Sequence, residues 1–133
     1  MAQFPYKPQK QIRPDCTYQV MVSKLPLKHY GSIPKFMKDT LVIRKQLQSS
    51  PGLIGYGLLA ELTKKTFFTF SIWENMDDLN TFANTNPHQK IIENLRPKMG
   101  HAVFKFEEVE GSKLPWNWDQ AKAQLTDPSD NNN

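Results

Sequence analysis

Leu53-Ile-Gly-Tyr-Gly-Leu-Leu-Ala-Glu-Leu-Thr63 and Thr66-Phe-Phe-Thr-Phe-Ser-Ile-Trp-Glu74, separated only by Lys64-Lys65, decide how this chain folds. In the second run Phe68, Phe70 and Ile72 fall on one face and Phe67, Thr69, Ser71 and Trp73 on the other, the two-residue period of a strand. With a two-lysine turn between them, the runs make a β-hairpin. Upstream, Tyr18, Val20 and Val22 alternate with Gln19 and Met21 over Thr17 to Leu25, a half-buried strand that Pro26 ends. Ser32 is an N-cap candidate, with Pro34 in the first turn of a helix. That helix carries Ile33, Phe36, Met37, Thr40, Leu41, Ile43 and Leu47 at helical spacing and stops at Ser49-Ser50-Pro51-Gly52.

Downstream, Asn75 caps a short helix whose first turn holds Asp77 and Asp78, suited to the positive end of the helix dipole. Leu79, Phe82 and Ala83 form its buried stripe. Asn86-Pro87 restarts the chain as a second short helix, with Ile91, Ile92 and Leu95 inward. After Gly100, Ala102, Phe104 and Phe106 alternate with Val103, Lys105 and Glu107 as a further strand. Trp116-Asn117-Trp118 opens a terminal helix that ends near Leu125.

The order is β-α-β-β-α-β: an α+β, ferredoxin-like antiparallel sheet with a C-terminal helix. Residues 1–14, with three prolines and no periodicity, read as an extended arm; 15–125 as one domain; 126–133, without an apolar residue, as a tail. Helices cover one face of such a sheet, yet the strands are apolar on both sides. The second face is expected to pair two copies of the chain as a homodimer.

At 133 residues the chain holds one ordinary domain and excludes the large barrel and two-domain dinucleotide enzymes. A single cysteine, Cys16, forms no internal disulfide. No apolar run approaches the length of a membrane helix and the start has no signal-like segment, so the cytoplasm is expected and a membrane is not. Residues 1–60 carry nine Lys/Arg against two acids, and 61–133 eight against eleven. The basic residues are scattered singly, which reads as a solvated face rather than a nucleic-acid surface, while halves of opposite sign favour self-association.

Gly52, Gly55 and Gly57 lead from a helix into a strand, the reverse of a phosphate-binding turn, and read as marks of a bulge or of close backbone approach. His29, His88 and His101 have no partner at i+4 and no clustered carboxylates, so no metal is expected. Glu107, Glu108 and Glu110 read as a charged strand edge that discourages further pairing. Cys16 lacks an activating cation in sequence.

Ser50-Pro51-Gly52-Leu53-Ile54-Gly55-Tyr56-Gly57-Leu58, the Phe67–Glu74 strand, Leu79-Asn80-Thr81-Phe82-Ala83 and Pro87-His88 resemble the dimeric α/β-barrel superfamily. Within it the similarity is to the antibiotic-biosynthesis-monooxygenase and spheroidene-monooxygenase group. The resemblance implies two ferredoxin-like units packed sheet to sheet, each with a pocket between its sheet and helices. It also implies a pocket lined by Phe36, Tyr56, Trp73, Phe82 and His88. His88, in a first helical turn, is then either a histidine without a chemical role or a general base kept neutral by the helix N-terminus. Trp73 is either core packing or a pocket wall.

The haem-degrading members of that superfamily use an Asn, a Trp and a His together. Here the Thr17–Leu25 strand has no Asn, Phe82 stands where they carry Trp, and Ile92 where they carry His. The functional expectation is a cofactor-independent monooxygenase-like protein acting on a hydrophobic or aromatic small molecule. The alternatives are a non-enzymatic dimeric module that binds a small ligand, and, more weakly, haem binding through a histidine.

Overall fold

Leu53–Glu61 and Thr66–Trp73 pair in antiparallel register, Leu59 opposite Phe68 and Ala60 opposite Phe67, at the centre of a five-stranded sheet. The computed structural model describes residues 2–125, with side chains from Tyr6 onward. Its strands are β1 (Ala2–Pro8), β2 (Thr17–Pro26), β3 (Leu53–Glu61), β4 (Thr66–Trp73) and β5 (Val103–Glu110). Its helices are α1 (Ile33–Gln48), α2 (Met76–Ala83), α3 (His88–Leu95) and α4 (Trp118–Ala123). The spatial order is β1-β3-β4-β2-β5, every neighbouring pair antiparallel. This is the ferredoxin-like β-α-β-β-α-β arrangement with one strand added.

The added strand corrects the expected arm. Residues 2–8 pair with β3 at the sheet's edge, with a register shift between Phe4 and Lys7. Pro5 lies inside that shift; proline donates no ladder hydrogen bond, so an edge and a bulge are where a strand tolerates it. The tail expected over 126–133 lies outside the described residues.

The hairpin turn is a single 3-10 turn, Leu62–Lys64, closed by Lys65 in the left-handed conformation (φ 53°). At the start of α1 a 3-10 turn over Tyr30–Ser32 takes the place of a side-chain cap, and Ser32 makes no capping hydrogen bond. Asn75 does cap α2, its side chain accepting from the Asp78 amide at 2.8 Å.

Two layers cover the sheet. On one face α1, α2 and α3 bury Leu25, Tyr56, Leu58, Ala60, Phe67 and Trp73. On the other, Tyr18, Val20, Val22, Phe68, Phe70 and Ile72 are covered by Trp116, Ala121 and Leu125, with Tyr6, Ile12 and Trp118 at the margin. Trp118 meets Phe70 edge-on at 5.0 Å, and Tyr6 stacks parallel to the same ring at 5.8 Å. Burying each of these aromatic and aliphatic side chains contributes about 1.5–3 kcal/mol. An Asn117–Gln120 capping box fixes the start of α4 and so places Trp118 on the sheet.

The second face is therefore closed by the chain's own residues. It was expected to be open; among the described residues Trp116, Ala121 and Leu125 pack on it. The strand pattern was right that the face needs a cover, and the cover is intramolecular.

Gly55 belongs to the same closure. A Cβ there would run into the Tyr6 ring and hydroxyl, so only glycine lets β1's tyrosine lie on β3.

Candidate functional site

Between the sheet and α1, α2 and α3 lies a cavity of about 160 Å³, its walls almost wholly apolar. Phe36, Met37 and Leu47 of α1, Phe82 of α2, Ile91, Ile92 and Leu95 of α3 and Leu25 and Leu58 of the sheet supply those walls. Phe104 on edge strand β5 is 45% exposed and marks the open side. A dry cavity near 150 Å³ suits one benzene-sized ring. The space therefore fits a single-ring molecule.

Most polar groups on the lining are already engaged. Ser23 and Thr69 hydrogen-bond each other across β2 and β4. Ser71 Oγ accepts from Trp73 Nε1 at 2.7 Å, Thr40 Oγ1 donates to the Phe36 carbonyl at 2.8 Å, and Asp39 holds Lys35 at 3.0 Å. The groups with hydrogen-bonding capacity to spare include Tyr56, Arg44, Lys7, His88 and the Ser71 hydroxyl proton.

His88 opens α3 directly after the Asn86–Pro87 bond, which is cis. Its backbone N–H donates to Gln46 Oε1 at 2.8 Å, and Gln46 Nε2 donates to the carbonyls of Thr85 (3.2 Å) and Phe82 (3.4 Å). One α1 side chain thus ties down the whole α2–α3 connection. The His88 ring packs on Phe82 at 4.6 Å, and its Nδ1 lies 3.1 Å from the Ala83 carbonyl oxygen. A carbonyl only accepts, so Nδ1 carries the proton and Nε2 presents a lone pair. Burial lowers the His88 pKa below the ordinary histidine value, opposed by the hydrogen bond to Ala83. Burial thus favours the neutral ring. The helix N-terminus was the expected cause; in the structure burial is the main one.

No family model matches the chain, and no curated protein sequence matches it. Solved structures do match. SnoaB of Streptomyces nogalater, a cofactor-independent oxygenase, superposes with a TM-score of 0.58 at 13% identity, over 69% of this chain and 92% of SnoaB. A proposed antibiotic biosynthesis monooxygenase of Caulobacter crescentus gives 0.62 at 17%, over 71% of this chain and 92% of its own. A conserved protein of Methanosarcina mazei gives 0.61 at 17%, over 71% and 93%. The chain has the fold of the antibiotic-biosynthesis-monooxygenase-like proteins. Identities this low speak for the fold alone.

On that fold, Phe36, Tyr56, Phe82 and His88 line the cavity together. Trp73 does not. It is 1% exposed, hydrogen-bonded to Ser71 and packed at a tilt, 5.3 Å behind Phe82, so it backs the wall as core packing. Among the described residues, no three His, Cys, Asp or Glu side chains come together, and no helix is long and apolar enough to cross a membrane.

Sequence reading missed Arg44, Gln46 and Lys7. Lys7 was hidden in the supposed arm. Arg44 had a usable signal: Met37, Thr40, Arg44 and Leu47 follow the 3-4-3 spacing of one helix face, which sets a cation inside an apolar stripe. Gln46 left no such mark, since its partners are backbone groups nearly forty residues away.

Proposed function

We propose that this cavity is the active site of a cofactor-independent, oxygenase-like enzyme acting on an electron-rich, single-ring aromatic molecule, with His88 as its general base. One observation carries the reading. A histidine whose Nδ1 is engaged by the Ala83 carbonyl stands on the wall of an apolar cavity, and among the described residues its Nε2 has no hydrogen-bond partner. The naming of SnoaB as a cofactor-independent oxygenase on the same fold supports it.

In this scheme Nε2 removes the hydroxyl proton of a bound phenol whose para carbon bears hydrogen. The phenolate gives one electron to O2, and the resulting pair combines at the para carbon as a peroxide. Loss of water, with the imidazolium returning its proton, leaves a quinone. One oxygen atom enters the product and the other leaves as water, so phenol plus O2 balances quinone plus water without an added reductant. The apolar walls exclude water from the phenolate, and Gln46 holds the base in place.

The test is oxygen consumption with 2-methoxyphenol. The expected outcome is one O2 consumed per quinone formed, no hydrogen peroxide released, and a rate about 10²–10⁴-fold lower in His88→Gln. Ligand binding without oxygen consumption, in wild type and variant alike, would instead identify a non-enzymatic small-ligand module.

A further inference from the structure

The polar groups of the cavity are unevenly distributed: apart from His88, the spare capacity around Tyr56, Arg44 and Lys7 is on the donor side. Tyr56 Oη accepts from Arg44 Nε at 3.2 Å and from Gln48 Nε2 at 3.3 Å. Both contacts use its lone pairs, so the phenolic proton itself is uncommitted. Arg44 uses only Nε in that contact, which leaves the four N–H groups of its guanidinium fork. Among the described residues no carboxylate lies within ion-pair distance of Arg44. Asp39, the one acid on the lining, is held by Lys35 through both carboxylate oxygens at 3.0 and 3.1 Å. Lys7 adds a second cation beside Tyr56, its register partner across β1 and β3.

A half-buried arginine without an anion, anchored edge-on by a buried tyrosine at the wall of an apolar cavity, lacks a negative partner. We infer that Arg44 and Tyr56 form an oxyanion subsite, and that the ligand is a one-ring aromatic carboxylate. The carboxylate lies on the guanidinium fork and accepts the Tyr56 proton, while the ring fills the apolar space. The planar fork matches a carboxylate in two parallel hydrogen bonds, and a monoanion suits a cavity with so little polar wall. Gln48 keeps the tyrosine oriented by occupying its second lone pair. This deepens the reading above, on which it rests for the cavity's being a small-molecule site.

Benzoate and benzamide have the same shape and differ in charge, so calorimetric titration with each reads the subsite directly. Wild type is expected to bind benzoate at least about tenfold more tightly than benzamide, the range of charge-assisted hydrogen bonds. Arg44→Gln is expected to bring benzoate down to the benzamide level without changing benzamide itself. Arg44→Lys keeps the charge, loses the fork, and should retain part of the preference. Equal binding of the two probes by wild type, binding of neither, or an unchanged preference in Arg44→Gln overturns the subsite. The comparison on wild type needs no variant, so a failure of Arg44→Gln to fold leaves it decisive. Neither probe turns over. A carboxylate preference with no oxygen consumption by either 2-methoxyphenol or 3-hydroxybenzoate sinks the oxygenase and keeps the subsite, and oxygen consumption without a carboxylate preference does the opposite.

Discussion

Replacing Gln46 with leucine removes three hydrogen bonds at once and keeps nearly the same volume. The 2.8 Å bond from the His88 amide is the strongest of them, and the bonds to the Thr85 and Phe82 carbonyls, at 3.2 and 3.4 Å, are weaker. A typical net contribution is about 1 kcal/mol for a well-formed bond; counting the two long ones together as about one more gives roughly 2 kcal/mol. For a domain of this size, about 3–4 °C per kcal/mol, the expected fall in Tm is roughly 7 °C. The second readout is local. His88 is held at its depressed pKa mainly by burial, and Gln46 is what holds the α2–α3 connection closed over it. In Gln46→Leu the NMR titration of the His88 ring is therefore expected to move up toward the ordinary histidine value. Gln46→Glu separates the parts: its carboxylate still accepts from the His88 amide but cannot donate to the two carbonyls. With an anionic oxygen now facing two carbonyl oxygens, it should recover less than half of the lost stability. A Tm within 1 °C of wild type in Gln46→Leu, with an unmoved His88 titration, would refute the clamp.

Three further outcomes are expected. As pH falls through about 6.5, the unfolded chain takes up a proton at His88 while the folded chain resists it, so the unfolded state binds more protons and stability drops. Thermal melts from about pH 5.5 to 7.5 should show Tm rising with pH, with a flatter profile in His88→Gln; equal slopes would contradict the burial of the ring. The loss linked to Glu61, whose carboxyl is lowered chiefly by the hydrogen bond from Lys122, belongs to a separate window below the ordinary value of 4.5. The Tyr6 hydroxyl is buried without a partner among the described residues, and burial, with Tyr18 nearby, pushes its pKa up to about 12. Tyr6→Phe should then leave stability unchanged or raise it by up to about 1 kcal/mol in denaturant titration; a clear loss would mean the hydroxyl has a partner. Gly55→Ala should cost about 1–3 kcal/mol through collision with Tyr6, and most of that cost should vanish when it is measured in a Tyr6→Ala background.

What the sequence made legible follows from where periodicity survives. The central hairpin and α1 each repeat a period over eight residues or more, and both stand where that pattern puts them. β1 was illegible because an edge strand needs only one side of its ladder, and Pro5 and Pro8 erase the propensity signal while leaving pairing to β3 intact. The second sheet face was read correctly as apolar, but the part of its cover that comes from the chain's own terminal helix was not legible, since Trp116 and Trp118 give no direction in sequence. In the candidate site, the aromatic lining came from a family resemblance. Arg44 and Gln46 were passed over because polar residues on a helix read as its solvated side until the opposing backbone is known.

The roof over the second sheet face has a consequence for biosynthesis. Ile72 emerges about fifty residues before Ala121, so at 5–20 residues per second Phe68, Phe70 and Ile72 stay bare for a few seconds of translation. During that interval the nascent chain is a sheet with one greasy side and no helix to hide it. A pause in synthesis after Ile72 has left the ribosome and before Trp116–Leu125 follow would favour aggregation.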